Sequence, residues 1–576
     1  MHRWQESAAA SVTLLAACAA AAGRSGDEDR GAAAHARLVA RIERFDADER
    51  RLRGFHPIAT EATRQRRREL AGASLAALAA VDEAGLPRDG RVDLRLFRAR
   101  LEEIATRLDW EEEDARAAAP LVPFLESCAR IERIDRHGEP WVADELAQWL
   151  GAAAVQVREL REKPGPDAAA ALQAPLAVRA AAARARECRA FLDGWRKSNA
   201  AADPELGFWI AAPAERAVTA LGEFAGWLEG TVLEELKKSP EGSPFAIGRD
   251  RYAAELRFER IDLTPERMLA FGEEQLAALQ AEMTRETAAL VAADGAAIDS
   301  GLADRPVDWR LGLELAKRDT VPIGGQRLFV QAVAEEAIRF CRDEALFPVP
   351  AIADECWRLR LSDLETQGRL AYGFYGRDFM GVSAPLPEMD HERKLECLRS
   401  NARPFTRTVV PHELIPGHHL QSFFGLRRAR LGLAGSPFFV EGWAVHGEMT
   451  LDERGFFRGP RERVGHLFWR LLRAARIVVS TRYHLRLMTQ AQMVDAMVEH
   501  AGLERSAAQA EVDRYMTYSP LYQCAYLHGA TEIRRLREEC RAAWGGDFSE
   551  LRFNTELVEQ GSIPIAQARE ALLGPR

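Results

Sequence analysis

Histidine and carboxylate crowd into one stretch of this chain, His412-Glu413-Leu414-Ile415-Pro416-Gly417-His418-His419-Leu420-Gln421, followed by Glu441-Gly442-Trp443-Ala444. A His-Glu pair with further histidine one to two turns on, and a carboxylate some 20 to 60 residues later, is what a zinc hydrolase needs. Two neutral imidazoles and one carboxylate hold Zn²⁺, the fourth position stays open for water, and the Glu beside the first ligand takes that water's proton.

The spacing departs from the strict HExxH pattern, which places two histidines at i and i+4 on one helix face. Here position i+4 is Pro416. A proline there has no N–H for the carbonyl of His412, and its ring would collide with that carbonyl, so the helix must kink or bulge inside the motif. In an ideal helix His418 would lie about 600° round from His412, off-face, and only a kink at Pro416-Gly417 brings it back. His419 would lie near the right face but about 10 Å further along the axis. His418 is the preferred ligand and His419 its substitute.

The elements that must position these residues are mainly α-helical. From about Ala32 to Lys317 the chain is rich in Ala, Leu, Glu and Arg, with apolar residues recurring at three- and four-residue intervals, as at Leu70, Leu75, Leu78 and Ala79. This predicts a stack of amphipathic helices. Loop signals fall at Pro164-Gly165-Pro166, at Ser239 to Pro244 and at Asp304-Arg305-Pro306. Phe347-Pro348-Val349-Pro350 opens a stretch richer in Gly, Pro and aromatics, and Leu370 to Tyr375 predicts one or two short strands. Helical patterning returns from Arg461. The expected organisation is a signal and tether over 1–30, an N-terminal helical region over 31–345 and a C-terminal metal-binding catalytic region over 346–576.

Charge narrows the partners. With 78 Lys+Arg against 87 Asp+Glu, a net charge of −9, the 576-residue chain lacks the basic excess of a nucleic-acid groove, so no nucleic acid is expected. The eight cysteines include no CxxC, which rules out a zinc ribbon or thioredoxin-like site on spacing. Neither a Walker-type loop nor a GxSxG elbow occurs. At the N-terminus, Leu15-Ala16-Ala17-Cys18 follows a short apolar stretch and resembles a bacterial lipoprotein signal, with a polar tract from Gly23 to Arg30 suited to a tether. Cys18 is therefore a candidate lipid anchor, placing the chain in the cell envelope or periplasm; without a signal it would be cytoplasmic. No later segment has the roughly 20 apolar residues of a spanning helix.

The blocks HELIPGHHLQ and EGWA, with Arg473 to Val479, Ala525-Tyr526-Leu527-His528-Gly529 and Phe553 to Gly561, resemble the bacterial domain-of-unknown-function 885 family, whose members carry HExxPGH followed by EGWA and are similar to helical zincin metallopeptidases. The resemblance implies a large multi-helix zincin-like fold with a few short strands near the active-site cleft. It also implies one Zn²⁺ on His412, His418 and Glu441, with Glu413 as general base. The chain departs from the family pattern at Ser480-Thr481-Arg482-Tyr483-His484, where an Asp-Thr-Gly-x-His segment is usual, and at Asn554, where histidine is usual.

Peptide hydrolysis asks for further groups. A phenol or imidazole N–H that stabilises the developing oxyanion is expected from Tyr526, His528 or His484. A guanidinium that binds a substrate carboxylate is expected from Arg476 or Arg482. Glu448, Glu392, His391 and His446 are candidates to orient the ligands, and Trp443 is expected in the core. The expected function is a zinc metallopeptidase acting on short peptides. The alternatives are hydrolysis of a non-peptide amide or ester at the same site, and a non-catalytic metal-binding surface lipoprotein.

Overall fold

The computed structural model describes residues 26–574, except 139, 241–242, 244, 294–301, 303, 428–429, 431–432, 434 and 516–518. Cys18 and the signal expected around it lie outside the described residues. The chain is mainly α-helical, as its composition predicts. Ala143–Glu162 gives way to Pro166–Ala171 across the Pro164-Gly165-Pro166 break, with Pro166 in the first helical turn, where its missing N–H costs nothing. The loop signals near 240 and 304 likewise separate helices, Leu233–Leu236 from Arg249–Phe258 and Pro265–Ala293 from Trp309–Lys317. No helix among the described residues is long and apolar enough to cross a membrane.

Apolar side chains gather into three clusters. Two are built within the first 240 residues, one around Phe45 and Phe97, the other around Phe124, Leu192 and Phe224. The third, which carries the site, takes residues from Val92 to Leu572 and is centred on the helix Gly459–His484. That helix is buried along most of its length, from Val464 to Tyr483 on nearly every face. It runs through the core against Pro265–Ala293, Arg403–Glu413 and Tyr522–Trp544, burying Arg473 and Arg476 along with its apolar side chains.

The only sheet among the described residues has three short strands, β1 (Arg358–Leu361), β2 (Phe374–Gly376) and β3 (Phe379–Val382), in the order β1-β3-β2. β2 pairs antiparallel with β3 through a tight turn, Tyr375 opposite Met380. β1 pairs parallel with β3, Arg360 opposite Gly381. β2 falls within the stretch read as strand, whereas β1 does not announce itself, because its Arg-Leu-Arg-Leu run is exposed and its partner lies about 20 residues on.

Candidate metal centre

The motif breaks its helix completely instead of kinking it. Arg403–Glu413 ends at Glu413, and a new helix, His418–Gly425, starts five residues later. The turn between them is held from two sides. Gly417 N–H donates to the Pro411 carbonyl at 2.9 Å, and the Trp443 indole N–H donates to the Pro416 carbonyl at 2.8 Å. Position 417 must be glycine, since a Cβ there would sit 1.7 Å from the His412 carbonyl oxygen. Trp443 is fully buried, so the EGWA block clamps the turn of the HELIPGH block as well as supplying its carboxylate.

That carboxylate, Glu441, projects from the helix Pro437–Glu453, which crosses Tyr522–Trp544 with glycine against glycine. A Cβ on Gly442 would meet the Gly529 backbone at 2.6 Å, and one on Gly529 would meet the Phe438 carbonyl at 2.2 Å. The close crossing brings the Tyr522 hydroxyl onto Glu441 Oε1 as a hydrogen-bond donor. The other oxygen, Oε2, is buried and accepts no hydrogen bond among the described residues, although it lies 3.2 Å from His418 Nε2 and 3.7 Å from His412 Nε2.

His412, His418 and Glu441 are the one group of three metal-binding side chains among the described residues, with one donor atom from each within 4.8 Å of the others. Ligands about 2.0 to 2.1 Å from a tetrahedral ion stand about 3.3 Å apart, so two imidazoles and a carboxylate so placed fit a zinc-class cation. The tautomer fits as well. His412 Nδ1 lies 2.6 Å from Glu448 Oε1 and 3.2 Å from Arg473 Nη2; an ion on Nε2 requires the proton on Nδ1, and Glu448 is the group there able to accept it. Glu448 is fixed by Arg473, whose two terminal nitrogens donate to its two oxygens at 2.8 and 2.7 Å. Glu441 and Glu448 are seven residues apart, two turns, which places both on the same helix face.

The electrostatics follow from burial and partners. Burial alone would lower His412, and Arg473 adds to that, yet Glu441 and Glu448 raise it to about 9. Burial would push Glu441 up, but His418 and His412 hold it well below the usual carboxylate range. Glu448 is held down at about 2 against the same burial, chiefly by Arg473. Glu413 differs: burial pushes its carboxyl up, and no hydrogen bond to it is found among the described residues. Burial, then the nearby Glu441, raises the Tyr526 phenol, which remains an O–H donor.

His419 turns away from this cluster. Its Nε2–H donates to the Ala353 carbonyl at 2.7 Å and its Nδ1 lies 3.1 Å from the Tyr375 hydroxyl, so it ties the second motif helix to its surroundings. His418 is thus the histidine that joins the cluster.

The cluster opens onto a cavity of 520 Å³, lined by Glu413, Tyr375 of β2, Arg473, Arg476, Arg514, Tyr522 and Tyr526 among others. Of the residues expected to act on substrate, Tyr526 and Arg476 line this cavity. His528, His484 and Arg482 do not. Tyr522 and Tyr526 are one turn apart on the cavity face, and a residue two further on rotates about 200° away. His528 accordingly packs edge-on against Phe271 and Phe438, and burial holds it down at about 4. His484 packs near Tyr252 and Tyr483, also lowered to about 4 by burial. Both are neutral core side chains. Arg482 pairs with Glu273 at 2.7 Å on the surface.

Among the candidate orienting groups, Glu448 acts on a ligand, whereas His446 bonds Asn554 at 3.0 Å, and His391 and Glu392 are exposed. Tyr522, Arg473, Glu511 and Arg514 escaped the sequence reading as site residues. The i, i+4 pair Tyr522 and Tyr526 was the one available signal.

The sequence matches the family model described as "Bacterial protein of unknown function (DUF885)" over residues 49–314 and 394–572. No curated protein sequence matches it. Among solved structures, a "putative lipoprotein of unknown function" from Shewanella oneidensis superposes with a TM-score of 0.67 at 20% identity, covering 93% of this chain and 99% of its own. A "putative lipoprotein" from Colwellia psychrerythraea gives 0.57 at 16% identity, covering 94% and 98%. At these identities the two structures speak to the fold.

Proposed function

We propose that this chain, which belongs to the DUF885 family of bacterial proteins, is a zincin-like metallopeptidase that hydrolyses short peptides with one Zn²⁺ on His412, His418 and Glu441. One observation carries the reading: three donor atoms converge, one of them a buried carboxylate oxygen without a hydrogen bond, beside a free carboxylate on the wall of a cavity. Mixed imidazole and carboxylate ligation favours zinc. A zinc ion held there would polarise a substrate carbonyl and acidify a water.

The protein's own groups divide the remaining work. Glu413, raised by burial and unengaged, takes the proton of the attacking water and returns it to the departing amine. Tyr526 offers its O–H to the oxyanion that develops on the carbonyl. Tyr522 fixes one oxygen of Glu441 so that the other faces the imidazoles. A cavity of 520 Å³ is the size of a small-molecule site, which suits short peptides.

The test is metal content and hydrolysis measured together. One zinc per chain is expected in the wild type and none in His418→Ala at equal helicity. Glu413→Gln should keep the zinc and lose peptide hydrolysis by about 10² to 10⁴-fold. Activity unchanged in that variant would remove Glu413 as the base. Cleavage of an amide or ester panel but of no peptide would move the substrate class while keeping the site.

The location we infer is the cell envelope, with Cys18 as lipid anchor. It is supported by the Leu15-Ala16-Ala17-Cys18 run and by the description of both structural neighbours as putative lipoproteins. Membrane fractionation should find the wild type with the membrane and Cys18→Ser released from it.

A further inference from the structure

The cavity wall carries a charge arrangement that breaking an amide bond does not itself require. Arg476, only 4% exposed, donates from Nε to Glu511 Oε2 at 2.9 Å, and its Nη2 lies 2.8 Å from the same oxygen. The Tyr515 hydroxyl also donates to that oxygen, at 2.9 Å. Arg514 pairs with the other oxygen, Oε1. Two guanidinium groups thus share the Glu511 carboxylate. Arg473, in the same wall, is different, since Glu448 neutralises it one for one.

A buried guanidinium with an unused N–H edge at a cavity is suited to an anionic partner. Arg476 is placed to receive one. It lines the cavity, and Glu511 occupies its Nε and Nη2 side, while its Nη1 makes no hydrogen bond among the described residues. Glu511 is itself held below its usual range against burial by Arg476 and Arg514, so it stays charged and keeps the fork oriented. A guanidinium fixed along one edge can still bind a carboxylate.

Distance sets how far this cation is from the reacting bond. The Arg476 Cζ lies 4.8 Å from the centre of the Tyr526 ring, and the His412 ring centre lies 6.3 Å from the same point. Cation and ligand imidazole are therefore at most about 11 Å apart, and an extended residue spans about 3.3 to 3.6 Å. Once room is left for the ion on one side and the carboxylate on the other, no more than one or two residues fit between them.

We propose that Arg476, held by Glu511 beside Arg514, receives the free C-terminal carboxylate of the substrate, so that the chain is an exopeptidase releasing the last one or two residues of short peptides. This rests on the hydrolase reading above. Water's oxygen bonds to the carbonyl carbon, the C–N bond breaks, and the proton taken by Glu413 goes to the departing amine; the products are a shortened peptide acid and a free amino acid or dipeptide.

The experiment uses the full-length Glu413→Gln chain loaded with zinc and calorimetric titration of three probes: acetyl-Ala-Ala-Phe as the free acid, its C-terminal amide, and the C-terminal amide of acetyl-Ala-Ala-Glu. The free acid is expected to bind at least tenfold more tightly than either amide. Adding Arg476→Gln should erase the difference, and Arg476→Lys should keep part of it. Equal binding of acid and amide would overturn the proposal, as would binding of none of the three. The Glu amide binding as well as the free acid would overturn it too, by showing an anion site indifferent to the chain end. So would a preference that survives Arg476→Gln at unchanged zinc content and circular dichroism. Should Arg476→Gln fail to fold, the acid-to-amide ratio in the Glu413→Gln chain and the Arg476→Lys variant decide. An acid preference beside a wild type that cleaves none of the probes would sink the hydrolase reading and leave the carboxylate subsite standing.

Discussion

On the proposed reading, Glu448 is the residue on which the metal centre leans. It is fully buried, lies 2.6 Å from His412 Nδ1 and accepts both Arg473 bonds, at 2.7 and 2.8 Å. Replacing it with alanine removes the group that sets the His412 tautomer and strands a guanidinium only 3% exposed. Loss of such an outer partner lowers metal affinity about 10- to 100-fold, or about 1.4 to 2.7 kcal/mol. Breaking a buried ion pair by removing one member costs about 3 to 5 kcal/mol of stability. Glu448→Gln should be milder on both counts. Its amide oxygen can still accept from His412, so about tenfold in affinity is expected, with about 1.5 to 3 kcal/mol lost with the charge-assisted bonds to Arg473.

The two effects separate in denaturant titrations run with and without zinc. Free zinc at a thousand times the wild-type Kd stabilises the folded chain by about 4 kcal/mol, and the same concentration stabilises a hundredfold weaker variant by only about 1.4 kcal/mol. Competition against a chelating dye gives the affinities directly. A folded Glu448→Ala chain that binds zinc within twofold of the wild type would refute the reasoning, because His412 would then need no fixed tautomer.

Three further outcomes follow. His419→Ala should retain its zinc while losing stability through the Ala353 and Tyr375 contacts, whereas His418→Ala loses the metal; metal analysis beside a melting curve separates them. Gly442→Ala should cost about 1 to 3 kcal/mol or more by thermal denaturation, because the added methyl meets Gly529 backbone at 2.6 Å, and a variant as stable as the wild type would show that the crossing can widen. Glu259, which accepts from the Ser436 hydroxyl at 2.6 Å, is raised by burial to about 7 from an ordinary 4.5. Between these values the folded chain binds more protons than the unfolded one, so stability falls as pH rises through that window by up to about 3 kcal/mol and is flat above it. Glu259→Gln should abolish that slope in denaturation midpoints taken from pH 5 to 8, and an unchanged slope would acquit Glu259.

What the sequence made legible is what local rules govern. Helix formers at helical spacing, interrupted at Pro164-Gly165-Pro166 and near Pro306, gave helices and breaks where they occur. His412, Glu413 and Glu441 could be picked out because their chemistry is concentrated in two short blocks. Tyr522, Glu511 and Arg514 could not, since they come from helices far beyond the motif in sequence, and Tyr522 meets Glu441 where Gly442 and Gly529 let two helices cross closely. His528, His484 and Arg482 fall outside the cavity for one reason: residue type singles them out, and type does not say which face of a helix a side chain occupies.

The choice between His418 and His419 shows where periodicity stops being a guide. Counted along one unbroken helix, His419 comes round to the face of His412 and His418 does not. The helix, however, ends at Glu413, and the chain turns back over the His412 carbonyl so closely that Gly417 cannot carry a side chain. The angular count therefore restarts in the second helix, and His418, as its first residue, sits where its Nε2 comes to 3.2 Å from Glu441. One residue later the chain has rotated about 100°, which carries His419 out to Ala353 and Tyr375. Proline and glycine between the two histidines thus decide the ligand, and Trp443, bonded to the Pro416 carbonyl, makes that decision depend on the same block that supplies the third donor.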